Sequence, residues 1–302
     1  MEQTVDSPLA ALDDKAALAR ALAQLERFPE RADTLALLDA AYQAPRAQVI
    51  GLTGPPGVGK SSLLGALIRH LRARGERLGV IAVDPSSRRS GGALLGDRLR
   101  LKGDPEDPGL FVRSMAARDR LGGLAELTVA AMVVMRAVFD RVLIETVGVG
   151  QSETDVAGVA DTVVFCVQPA SGDSLQFMKA GIVEIPDIAV VTKADLGTPA
   201  KHALSDLRSA LGLTAAGRDW PVAVQSLSVQ AGQGLEGLVE KLDKHWDFLC
   251  QGDRLTRLRQ TQADDWLGQG LRERYGREGE KRLGPVTLAP GQSPFAKLAA
   301  LG

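Results

Sequence analysis

The octapeptide Gly54-Pro55-Pro56-Gly57-Val58-Gly59-Lys60-Ser61 constrains this chain more than any other segment. It follows the apolar run Val49-Ile50-Gly51-Leu52 and opens a helical stretch. The spacing is that of a phosphate-binding loop, G-x-x-x-x-G-K-[ST], in the strand-to-helix context that the motif requires. Its glycines let successive backbone N–H groups face inward, and the helix N-terminus adds partial positive charge. Lys60 is expected to reach the β- and γ-phosphates, and the Ser61 hydroxyl to ligate Mg²⁺, with Ser62 completing the loop. The competing reading is a glycine-rich turn with no ligand.

Such a loop demands an α/β fold, and the surrounding pattern agrees. Apolar runs occur at Val49–Leu52, Leu78–Val83, Arg141–Glu145, Thr162–Val167, Ile188–Thr192 and Pro221–Gln225. Short unbroken apolar runs suit strands buried on both faces. The intervening stretches are long enough for crossover helices, so a doubly wound, mostly parallel sheet is expected. Residues 9 to about 45 read as helical, with Leu18, Leu22 and Leu25 on one face and Pro29 between two stretches. A helix is expected from Gly234 to about Leu249. Beyond Gly252, Leu267, Leu271 and Tyr275 mark a helix with one apolar face lacking an evident partner. After Gly284 the prolines predict an irregular tail. The expected division is a helical extension over 1–47, a nucleotide-binding domain over 48–250 and a helical arm with tail over 251–302.

Three further motifs stand at strand ends. Thr192-Lys193-Ala194-Asp195 resembles the [NT]-K-x-D base-reading motif. A carboxylate at Asp195 can accept from guanine N1–H and its 2-amino group, a donor pair that adenine lacks. The alternative is a helix N-cap region. Ser228 and Val229, followed by Gly232 and Gly234, form a loose version of the accompanying base loop, with Val229 where Ala is usual. Glu145-Thr146-Val147-Gly148 resembles the D-x-x-G switch motif with Glu for Asp. Glu145 would hold Mg²⁺ through water, and the Gly148 N–H would sense the γ-phosphate. Val149 follows, so the glutamine that positions water in Ras-like enzymes is absent, and slow hydrolysis is expected. Asp84, in Asp84-Pro85-Ser86-Ser87, lies where ligands bind in open α/β sheets, and Asp97 follows. Turn or capping chemistry is the other reading of both.

Composition narrows the partners. With 36 Lys and Arg against 37 Asp and Glu, the net charge of -1 argues against a nucleic-acid binder. Two cysteines make no disulfide framework and fit a reducing, cytoplasmic compartment. No apolar stretch approaches the roughly 18 residues of a membrane span, and the N-terminus lacks a secretory pattern.

Together, GPPGVGKSS, AVDPSS with the later SGG and LGDR, IETVGVGQSE and TKAD resemble the MeaB/ArgK family, over most of the chain. RLRQTQADDWL is similar to that family's R-x-x-Q-x-x-x-W segment. The resemblance implies a P-loop G domain between N- and C-terminal helical extensions. It implies a homodimer joined through the C-terminal helices, binding GTP or GDP with Mg²⁺. It further implies a chaperone of an adenosylcobalamin-dependent acyl-CoA mutase, such as methylmalonyl-CoA mutase. Lys60, Ser61, Asp84, Asp97 and Glu145 match the family's phosphate, magnesium and catalytic positions. Gln151, Ser152 and Glu153 fall in a switch segment. Asp173, Gln176, Phe177 and Lys179 fall in the segment that signals to the mutase. Phe177 and Met178 depart from the usual family residues and add apolar bulk suited to a contact surface. Three rivals remain: an ATPase or kinase serving basic amino-acid transport, a metal-insertion GTPase, against which the scarcity of Cys and His argues, and a nucleotide-gated binding module whose turnover is incidental.

Overall fold

The structure, a computed structural model, describes residues 8–84, 106–116, 126–146, 155–169, 185–213, 218–284 and 286–301. Within these residues one sheet contains β1 (Gln48–Thr53), β2 (Leu78–Asp84), β3 (Leu110–Ala116), β4 (Arg141–Glu145), β5 (Thr162–Val167), β6 (Ile188–Val191) and β7 (Ala223–Ser226). Its order is β3-β2-β4-β1-β5-β6-β7, and every pair is parallel. The described helices are α1 (Lys15–Arg27), α2 (Ala32–Gln43), α3 (Lys60–Ala73), α4 (Glu126–Val138), α5 (Thr198–Leu213), α6 (Leu235–Cys250), α7 (Arg254–Leu283) and α8 (Pro294–Ala300).

Alternate strand residues feed opposite faces. Ile50, Leu52, Val164, Cys166, Ile188 and Val190 pack under α3 and α6. Val49, Val142, Ile144 and Val163 point the other way, against α4 and the leucines of α1 and α2. Leu18, Leu22 and Leu25 of α1 are each nearly fully buried there, and burying a leucine contributes about 1.5–3 kcal/mol. Asp14 starts α1 by accepting from Ala17 N at 2.8 Å. The doubly wound α/β reading therefore holds, with β1 between β4 and β5 at the centre.

Three expectations change. The sheet has a strand that the apolar runs missed, because β3 is an edge strand interrupted by Arg113 and Ser114. Arg113 pairs with Glu26 of α1, so a charge inside the strand has a partner. The tail is not irregular throughout. Pro294 sits in the first turn of α8, where a missing N–H costs nothing. The apolar face of α7 is covered by this same chain. Leu267 and Leu271 bury against Leu288 and Leu298, the Trp266 and Phe295 rings lie 4.8 Å apart, and Tyr275 Oη donates to the Leu301 carbonyl at 2.7 Å. No described helix is long and apolar enough to cross a membrane.

Candidate nucleotide site

The phosphate loop leaves the C-terminal end of β1, where the sheet order reverses and open α/β sheets bind ligands. Its backbone demands glycine. Gly54 has φ 136°, and a Cβ there would overlap the Cys166 carbonyl oxygen. Gly57 and Gly59 have φ 74° and 101°, and Gly59 caps α3. Lys60 is buried at 6% exposure, with Nζ donating to the carbonyls of Gly54 at 2.6 Å and Pro55 at 3.0 Å. The ammonium is thus folded back along the loop it would leave to meet a phosphate.

Beside it, Ser61 Oγ donates to Glu145 Oε1 at 2.6 Å. Glu145 ends β4 in register with Leu52 of β1 and Ala82 of β2. The strand ends therefore bring together a hydroxyl and a carboxylate 84 residues apart. Two hard oxygen donors beside a phosphate loop fit a magnesium ion better than a soft metal. Asp84 ends β2, the strand adjacent to β4, and only its backbone is described. Asp97, Gly148, Gln151, Ser152, Glu153, Asp173, Gln176, Phe177 and Lys179 lie outside the described residues.

The base-reading residues converge on a cavity of about 320 Å³ lined by Val58, Gly59, Thr192, Asp195, Ser228 and Val229. Lys193 adopts φ 53° and reaches across the loop, donating from Nζ to the Gly57 carbonyl at 3.0 Å and to Gln168 Oε1. Asp195 accepts from Ser228 Oγ, which also receives Ala231 N–H at 3.1 Å. Gly234, at φ 82°, has no room for a Cβ beside the Ser226 carbonyl, which explains the glycine at this point of the base loop.

Sequence reasoning named Thr192 within the base-reading motif without its role, and missed Gln168. The Thr192 hydroxyl donates toward the Val58 carbonyl at 2.7 Å and the Val167 carbonyl at 3.0 Å, tying the base loop to the phosphate loop. Gln168 follows β5 directly, and its position at a central strand end was the available signal. Cys166 packs in β5, and burial pushes its thiol up to about 12. His70 is half-buried on α3.

A phosphate loop, a facing serine and carboxylate, and a base pocket with an aspartate define the P-loop GTPase class. Comparison with known proteins is specific. The family model described as "Methylmalonyl Co-A mutase-associated GTPase MeaB" matches residues 18–278. A Mycobacterium bovis relative named Probable GTPase Mb1533 is 38% identical over 282 residues, 90% of this chain and 84% of its own. A mouse relative, Methylmalonic aciduria type A homolog, mitochondrial, is 38% identical over 228 residues, 74% of this chain and 55% of its own. A solved structure titled LAO/AO transport system kinase superposes with TM-score 0.71 at 27% identity, covering 100% of this chain and 98% of that one. The chain belongs to the MeaB family of GTPases.

Proposed function

We propose that this GTPase is a Mg²⁺-dependent chaperone of an adenosylcobalamin-dependent acyl-CoA mutase, methylmalonyl-CoA mutase or a relative. The observation that carries this reading is the match of residues 18–278 to a model described as mutase-associated. The mouse relative's name, which refers to methylmalonic aciduria, points the same way. The pocket at Asp195 supports guanine as the base.

In this reading, Lys60 exchanges its two carbonyl partners for phosphate oxygens. The Ser61 hydroxyl and the Glu145 carboxylate would hold the metal, with Asp84 and Asp97 orienting it and the attacking water; bound there, it would supply positive charge against the phosphates. Gly148 reads the γ-phosphate, and residues 151–153 and 173–179 pass the nucleotide state to the mutase, with Phe177 at the contact. Residues 251–302 support a homodimer in the cytoplasm, flanking a G domain over 48–250 and an N-terminal extension over 1–47.

The test combines two measurements. A cobalamin-dependent acyl-CoA mutase is tested for retention on the immobilised chain with GDP and with a non-hydrolysable GTP analogue, and GTP turnover is followed with and without it. Nucleotide-dependent retention with faster turnover supports the proposal; no retention in either state refutes the partner.

The structural neighbour's title favours a second reading, a kinase accessory to transport. Competition between GTP and ATP separates the two, because Asp195 gains its donors only from guanine.

A further inference from the structure

Arg136 lies on α4 at 4% exposure, and its Nε has no hydrogen-bond partner. No carboxylate among the described residues forms an ion pair with it. The carboxylate whose charge reaches it, Asp161, is already engaged. Its two oxygens take Arg259 at 2.8 and 2.7 Å, and Oδ2 also takes the Val49 N–H at 2.7 Å. Arg136 has instead the Tyr42 ring, 5.9 Å from its guanidinium carbon. Burial lowers Arg136 only to about 10, so it remains charged at neutral pH. Two guanidinium groups, Arg136 and Arg259, therefore face one carboxylate.

Arg136 opens onto a cavity of about 30 Å³ that Arg259, Tyr42, Gln262, Trp266 and Phe295 also line. The Gln262 side-chain amide already donates to the carbonyls of Ala157 and Ala160 at 2.9 and 2.8 Å. The polar lining is dominated by donors, and the rest is aromatic or aliphatic. A volume near 30 Å³ corresponds to one water or one ion of similar size. It is too small for phosphate or a nucleotide. A water would satisfy Nε yet leave the charge uncompensated, and an unpaired buried charge is strongly unfavourable.

We propose that the cavity between α2, α4, α7 and α8 binds a chloride-sized monovalent anion held by Arg136. This site is separate from the nucleotide pocket and joins the N-terminal helices to the C-terminal ones.

The test is unfolding of the full chain in sodium chloride against sodium gluconate at equal ionic strength, together with bromide-soaked crystals. With chloride at about ten times its Kd, the unfolding equilibrium constant should fall about elevenfold relative to gluconate. Arg136→Met should abolish that difference, and bromide should give an anomalous peak at Arg136 Nε. Equal stability in the two salts means that the cavity holds only water and overturns the proposal. A difference that survives in Arg136→Met overturns it too, by placing the ion elsewhere. Should that variant not fold, the bromide peak decides alone: its absence at Arg136 overturns the site.

Discussion

Replacing Arg259 with Met tests whether the C-terminal helix is part of the folded G domain or an appendage. Arg259 projects from α7 to the N-terminal ends of β1 and β5. It makes two bonds to Asp161 and one, at 2.8 Å, to the Ala47 carbonyl. The Asp161 side chain is 0% exposed, and Arg259 is 11% exposed. In the variant, Asp161 keeps the Val49 N–H and the neighbouring charge of Arg136. Breaking a buried ion pair from one side costs about 3–5 kcal/mol, and the remaining Arg136 charge puts this case near ~3 kcal/mol. At roughly 2 °C per kcal/mol for a chain of this size, Tm should fall by about 6 °C. Denaturant unfolding reads the loss directly. Asp161→Asn with Arg259→Met removes both charges and should recover part of it. A loss below about 1 kcal/mol, or no recovery in the double variant, would refute the reasoning.

Three more outcomes are expected. Asp195→Asn should weaken GTP binding at least about a hundredfold, since two hydrogen bonds to a charged acceptor are lost. The same change should improve binding of xanthosine triphosphate, whose 2-oxo group accepts from the new amide; calorimetry with both nucleotides checks this. Burial pushes His245 down to about 4, with Thr162 Oγ1 at 2.9 Å from Nδ1. The unfolded chain then takes up the proton first, so stability present above pH 6.5 is lost as pH falls toward 4, by up to about 3 kcal/mol. Asp187, raised to about 6 by burial, acts in the opposite sense, since its stability contribution falls as pH rises from 3.8 to 6. His245→Gln should remove the histidine's share, seen as a flatter acid limb in denaturant titrations. In the native protein a thiol reagent should modify Cys250, which is exposed, and leave buried Cys166 unreacted until unfolding; two fast thiols in the native state would contradict the packing of β5.

Legibility followed locality. The phosphate loop could be read because its function requires glycines and a lysine at fixed spacing within one turn of chain. The base pocket could be read in part, since Thr192, Lys193 and Asp195 are contiguous. Gln168 escaped because its role depends on β5 and β6 being neighbours, a fact of sheet order. The edge strand β3 escaped because a strand with one free side needs no unbroken apolar run. The segment Arg259-x-x-Gln262-x-x-x-Trp266 carried a family resemblance but no mechanism. The structure supplies one. Spacing of three and four places these residues on one helix face. Arg259 meets Asp161, Gln262 meets two carbonyls of the turn before β5, and Trp266 meets Phe295. Nothing local in the sequence identifies those partners; those of Arg259 and Gln262 lie 98 to 105 residues away.

This arrangement raises a problem of distance. Arg259 grips the start of β1, whereas Lys60 and Ser61 act beyond its other end, about 17 Å away at 3.3 Å per residue. One described element lies between them. The 3₁₀ turn Val156–Gly158 rests on the middle of β1, where Gly51 has no side chain, and Gln262 holds the Ala157 carbonyl from the α7 side. Val156 is 0% exposed, and a Cβ at Gly51 would overlap its Cγ2 methyl while sitting 3.0 Å from Ala160 Cβ. Gly51→Ala should therefore push the turn off β1 and cost about 1–3 kcal/mol through overpacking. If the turn carries strain between α7 and the nucleotide loops, the same change should also alter GTP affinity, although residue 51 touches no nucleotide-binding side chain. Val156→Ala removes the overlapping methyl, so Gly51→Ala with Val156→Ala should be more stable than the sum of the single losses predicts. Additive losses would show that the turn does not bear on Gly51. Non-additive stability with unchanged GTP affinity would show that the turn packs against β1 without connecting its two ends.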